Sequence, residues 1–244
     1  MKGAEGTQRD PGEFETTHQS LLGRLARGEG EAHEALVRAY WKPVYKYLRV
    51  RWRRSHDEAA DLTQGFFLDC FERRVLATFV PGRARFRTYL RACLDHYAGG
   101  RARAARALKR GGRAAHVDLD FEGAAAELAR AAAPGGDFER YFEVEWARHM
   151  VSGALAALRD ELEGQGKGAY FAVFCAYDLP PEAGEAPSYA EVAARLGLKV
   201  TDVTNYLSAA RRAFRRHVLE RLREATADDD EFRAEAAALL GRGR

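Results

Sequence analysis

The 244-residue chain is 46% hydrophobic and 31% charged, the balance of a soluble globular protein long enough for one large or two small domains. No run approaches the ~18 consecutive apolar residues that would span a bilayer, and the opening MKGAEGTQRDPGEFETT is polar and acidic, unlike a secretory or transit signal. The expected location is therefore the cytoplasm, with no membrane association.

Cys70, Cys93 and Cys175 stand far apart inside apolar periodic segments, which argues against a disulfide framework and against a zinc site and reads as three buried thiols. Net charge is only +3, but it is unevenly spread: Arg83 to Arg113 holds ten Lys or Arg against Asp95 alone, and Val117 to Glu145 holds eight acids against two bases. A second basic run, Arg211 to Arg223, carries six arginines against Glu220. Two separated basic patches suit two contacts on one polyanion, and the lesser reading of each patch taken alone is a solvated helix face.

In chain order, residues 1–16 read as a disordered N-terminus and 17–112 as a first helical domain. Leu21, Leu22, Leu25, then Ala35, Leu36, Ala39, Tyr40, then Val44, Tyr47 and Leu48 recur at helical steps, with Pro43 able to break or bend the path. Ser55-x-x-Glu58 is a capping box, and the helix it opens carries Ala59, Leu62, Phe66, Cys70 and Phe71 on one apolar stripe and ends near Thr78. Asp57, Asp61, Gln64 and Leu68 fall opposite that stripe, a polar and partly acidic face suited to a protein partner.

Val80-Pro81-Gly82 breaks the chain, and Phe86, Leu90, Cys93 and Tyr97 restart the helical period. Arg83, Arg85, Arg87 and Arg91 interleave there with Phe86 and Tyr89, a pattern suited to single-stranded DNA, with cations on phosphates and rings on unpaired bases. Phe86 fits the core equally well. Gly99-Gly100 interrupts or loosens this helix, and Gly111-Gly112 ends its basic continuation, RARAARALKR.

Residues 113–136, rich in Ala, Gly and acids, read as a flexible linker, partly disordered, between two helical domains. The second domain spans 137–225. Phe138, Phe142, Trp146, Met150, Ala154 and Leu158 keep a helical step, and AYFAVFCAYDL reads as a helix because its strand-like composition has no partner strand.

Tyr189 to Tyr206, YAEVAARLGLKVTDVTNY, has the pattern of a helix-turn-helix. Small Ala193 lets two helices approach, Gly197 permits a positive φ in the turn, and Val203 anchors the second helix, with Ser188-x-x-Glu191 capping the first helix and Thr201 placed to cap the second. In such a unit Thr201, Asp202, Thr204 and Asn205 reach base edges in the major groove, while Arg211, Arg212 and Arg215, with Arg216, grip phosphates. Residues 226–244 form a C-terminal tail with no role assigned.

DLTQ-x-FF at Asp61 to Phe67, followed by FRTYL at Phe86 to Leu90 and by the helix-turn-helix, resembles the extracytoplasmic-function sigma factors, the small two-domain class of bacterial sigma factors. The resemblance implies an all-α fold and promoter-directed transcription initiation, with core RNA polymerase and promoter DNA as partners, a regulatory protein such as an anti-sigma factor or a kinase, no cofactor and no catalysis. It assigns Asp57, Asp61, Gln64 and Leu68 to polymerase docking. The minus-ten surface it implies comprises Arg83, Arg85, Phe86, Arg87, Tyr89, Arg91, His96 and Arg103, and the helix-turn-helix would read the minus-thirty-five element. Where many members carry Trp-Leu and then Asn, this chain has Tyr89-Leu90 and His96.

Two other readings stand beside it. One is a helix-turn-helix regulator that never touches polymerase, which leaves the DLTQ helix unexplained. The other, more remote, is an all-helical metal phosphohydrolase using His33, His56, Asp57 and a distant Asp95 or Asp118.

Overall fold

The computed structural model describes residues 21–107, 119–130, 136–179 and 187–241, and every regular element among them is helical. The helices are α1 (Leu21–Ala26), α2 (Gly30–Arg51), α3 (His56–Glu72), α4 (Phe86–Ala107), α5 (Phe121–Arg130), α6 (Phe138–Gly164), α7 (Gly168–Asp178), α8 (Tyr189–Leu196), α9 (Val200–Ala225) and α10 (Asp229–Leu240), with a 3₁₀ turn at Val75–Thr78. No helix among the described residues is long and apolar enough to cross a membrane. Residues 1–16, the Gly111-Gly112 stop and Asp118 lie outside the described residues.

Local signals set most helix starts. The Ser55 side chain accepts from the Glu58 amide while the Glu58 carboxylate accepts from the Ser55 amide, so the predicted capping box opens α3. The helix stops at Glu72, earlier than expected, where Arg74 turns left-handed at φ 50° before the 3₁₀ turn. Pro43 neither breaks nor ends α2, which runs on to Arg51.

Gly99-Gly100 does not interrupt α4. The helix continues through both residues to Ala107, and a Cβ on Gly99 would meet the Trp52 ring at an ordinary contact of 3.4 Å, where α4 passes the end of α2. The predicted helix AYFAVFCAYDL is α7.

The expected separation of two domains by a flexible linker is not confirmed. Two apolar cores exist, but they divide midway along two long shared helices. The larger core joins α2, α3, α4 and the first half of α6 to the end of α9, through Tyr40, Phe66, Phe86, Phe142, Trp146, Val218 and Leu222. The smaller core holds Leu158 and Leu162 of α6 with Val173, Phe174, Val192, Val203 and Leu207 from α7, α8 and α9. Tyr40 donates to the Ala225 carbonyl at 2.7 Å, tying α2 to the last turn of α9.

Part of the predicted linker is itself helical. Asp120 caps α5 by accepting from the Gly123 amide at 2.8 Å, and the helix buries Ala124 while Phe121 packs its ring against Trp41 and Tyr45. Ion pairs complete the docking. Lys46, buried in α2, contacts Glu127 of α5 and the buried Glu145 of α6, both at 2.8 Å, and Lys42 adds a second bond to Glu127. Burial pushes the Glu127 carboxyl up, but its hydrogen bonds from Lys42 and Lys46 outweigh this and leave it below its ordinary range.

His149 of α6 reports on the same junction. Its Nε2 lies 2.7 Å from the Arg38 carbonyl, a bond that makes the ring the donor. Burial drives its pKa down to about 4, against the hydrogen bond that favours the charged form; Arg221 and Lys42 push it further down and Glu127 partly opposes them. Because the folded value lies below the unfolded 6.5, the unfolded chain takes up the proton first and stability falls as pH drops from 6.5 towards 4. Between pH 7 and pH 5 this group should cost about 2 kcal/mol. His149→Gln keeps a donor for the Arg38 carbonyl without titrating, so urea denaturation at the two pH values should show a smaller drop for the variant, and equal drops would refute the assignment.

Candidate nucleic-acid interface

The helix-turn-helix is built from residues close in sequence. Ser188 and Glu191 form a second reciprocal capping box at the start of α8. Gly197 closes the helix at φ 65°, a left-handed conformation that suits glycine, and the Leu198 amide donates to the Ala193 carbonyl at 2.9 Å. Val192, Ala193 and Val203 bury against one another and Leu207, seating α9 beneath α8.

Thr201 is not the cap of α9. The helix starts at Val200, with Lys199 extended before it and the Asp202 and Val203 amides both donating to the Lys199 carbonyl, so Thr201 lies exposed in the first turn. The insertion of Leu198 and Val203 into the core sets this register, two residues ahead of the cap reading.

Along α9, Thr201, Thr204, Asn205, Ser208, Arg212 and Arg215 are all exposed on one continuous face, opposite Val203, Leu207 and Ala210. Arg212 donates to the Ser208 hydroxyl at 2.8 Å. Asp202 is half-buried at the edge of this face.

Arg211 is engaged elsewhere. Its guanidinium forms a two-pronged pair with Asp178 at 2.8 and 2.5 Å and lies over the Tyr177 ring, and the hydrogen bond to Asp178 raises its pKa. Arg216 is likewise bound to Glu161 of α6, whose carboxyl is held below its ordinary range by that bond and by His217. Sequence reasoning missed Ser208 and Val200. Ser208 is seven residues beyond Thr201 and readable from the helical period, whereas Val200, 48% exposed, joins the face only once the helix start is known.

On α3, Asp57 and Asp61 are exposed and Gln64 and Leu68 half-buried along one stripe. The buried side consists of Ala59, Thr63, Phe66, Phe67 and Cys70, so Thr63 and Phe67 replace Leu62 and Phe71 of the predicted stripe, which are half-buried. Thr63 tolerates burial because its hydroxyl donates to the Ala59 carbonyl at 2.7 Å.

The predicted minus-ten set is split. Phe86 has no exposed surface and packs against Tyr40 and Phe79, which decides between the two readings of this residue in favour of the core. Arg87 is 5% exposed, over the Trp146 ring and against Glu235 and Glu143. Arg85 also reaches Glu235, at 3.3 Å. Tyr89 donates to the Val75 carbonyl at 2.8 Å, and Arg91 bridges Asp95 and Glu139 at 3.1 and 3.0 Å.

Arg83, His96 and Arg103 are exposed. His96 and Arg103 lie on one side of α4 with Gly99, beside Trp52, whose ring also receives Arg51 at 5.6 Å. The open cationic surface of this half is therefore split between Arg83 and the exposed Arg85 ahead of α4 and the stretch of α4 around His96 and Arg103 beside the end of α2.

The residues of the phosphohydrolase reading have other partners. His33 stacks on Phe71, His56 bonds to the Tyr45 hydroxyl, and Asp95 accepts from Tyr47, Trp52 and Arg91. Among the described residues no cluster of three His, Cys, Asp or Glu side chains is placed to hold a metal ion. Fold and site together define an all-helical chain carrying a helix-turn-helix. Comparison with protein-family models, with curated proteins and with solved structures finds no match.

Proposed function

We propose that this chain is a promoter-recognition factor that reads duplex DNA through α8 and α9 and engages core RNA polymerase through the exposed stripe of α3. The observation that carries the reading is the polar and cationic face of α9, Thr201 to Arg215, supported from behind by its own apolar core. The polymerase half rests on the likeness of Asp61 to Phe67 to the docking helix of extracytoplasmic-function sigma factors, and the exposure of Asp57 and Asp61 suits it. The burial of Phe86 and Arg87 favours a second reading, a duplex-binding regulator independent of polymerase.

Adding the purified chain to sigma-free core polymerase separates the two. Promoter-dependent transcripts support the first, and duplex binding without transcripts supports the second. Asp61→Ala/Gln64→Ala should weaken core binding with helix content unchanged.

On duplex DNA, Asn205→Ala should cost about 1–3 kcal/mol on the preferred site and little on random sequence. Arg212→Ala and Arg215→Ala should weaken all sequences, each flattening the logarithmic salt slope by about 0.9. Arg211→Ala should leave that slope unchanged, because Asp178 already holds its guanidinium. An equal flattening by Arg211→Ala would misplace the interface.

A further inference from the structure

The C-terminal helix α10 is an acidic segment seated on cations. Its Glu235 is 2% exposed, and the carboxylate is shared between Arg87 and Arg85. One turn earlier, Glu231 accepts from the Phe86 amide at 2.6 Å with one oxygen and from the Ala227 amide at 2.9 Å with the other. Thus two carboxylates of α10 engage the first backbone donor of α4, the buried Arg87 guanidinium, which Glu143 and the Trp146 ring also hold, and Arg85, whose side chain stays 49% exposed.

Phe232 lies under Arg223, and Ala236, Leu239 and Leu240 pack on the larger core. A 12-residue helix is marginal in water by itself, so α10 depends on this docking. The connection to α9 is only Thr226–Ala227–Asp228, short enough to hold the helix at high effective concentration over its site.

A carboxylate on a guanidinium or on a helix N-terminus makes the same charge-assisted bonds as a phosphate oxygen. We infer that α10 is an intramolecular latch whose Glu231 and Glu235 stand where nucleic-acid phosphates bind the Arg83–Arg91 segment, so that single-stranded DNA and α10 exclude one another. The inference rests on the reading of that segment as a nucleic-acid surface. The apparent affinity of DNA is then lowered by the fraction of molecules in which α10 is undocked.

The test measures binding of a fluorescein-labelled single-stranded oligonucleotide to the full chain, to Glu231→Gln/Glu235→Gln and to a chain ending at Ala227. Both variants should bind at least about tenfold more tightly, with a salt slope steeper by about 0.7 for each further phosphate neutralised. Arg85→Ala in the shortened chain should reverse part of the gain.

Hydrogen exchange on the unaltered chain guards against misfolded variants: saturation with the oligonucleotide should remove amide protection from residues 231–240. Unchanged single-strand affinity in folded variants, or full protection of α10 in the DNA complex, overturns the latch. Duplex binding through α9 is read separately with Arg212→Ala/Arg215→Ala, so failure of the latch and failure of the helix-turn-helix reading are told apart.

Discussion

Trp146→Ala should destabilise the protein by about 3–5 kcal/mol, and the loss should appear in both halves of the chain together. Trp146 is 2% exposed, stacks on Tyr40 at 6.2 Å and carries the Arg87 guanidinium on its face at 4.8 Å. Truncation removes the apolar indole surface, opens a cavity where α2, α4 and α6 meet, and strips Arg87 of its aromatic partner. Because α6 continues from this core into the smaller one, the damage should pass along it. Urea denaturation followed by far-ultraviolet circular dichroism and by aromatic fluorescence should give coincident transitions, both shifted. Two separate transitions with only one moved would show that the cores unfold independently, as flexibly linked domains would.

Lys46→Met should cost a similar amount, about 3–5 kcal/mol, by a different route. Lys46 and Glu145 are both buried and 2.8 Å apart, and Arg148 reaches Glu145 only from the solvent side at 2.6 Å. Removing the ammonium leaves a carboxylate in a low-dielectric site with half its compensation gone and frees Glu127 from one of its two lysines. Replacing both members, Lys46→Met/Glu145→Met, should recover most of the stability, since buried pairs exchange for apolar side chains of similar volume at little net cost. A double variant as unstable as the sum of the two single changes would mean that packing, not charge, holds this junction.

The elements legible in the sequence are those made by neighbours. Ser55 with Glu58, Ser188 with Glu191, and Gly197 with Ala193 are interactions across three or four residues, and each forms its cap or turn where the pattern put it. The all-helical class follows from the same kind of signal, a 3.6-residue apolar period. Asp120 with the alanine run after it offered a cap and a helix former, yet α5 read as linker because its partners, Trp41, Tyr45 and Lys46, stand some 80 residues away.

The fate of the basic segment was not legible at all. Arginines and aromatics in alternation look alike whether they face DNA or a core, and the choice fell to Trp146 of α6 and Glu235 of α10, the latter 148 residues from Arg87. Arg211 shows the same limit on a smaller scale, since it shares a helix with Arg212 and Arg215 but meets Asp178 of α7. Sequence by itself determined helix type, the capping boxes of α3 and α8 and the turn at Gly197, because those energies are local. Tertiary structure alone decided which charges remain open to solvent, because a charge is neutralised by whatever the fold brings beside it.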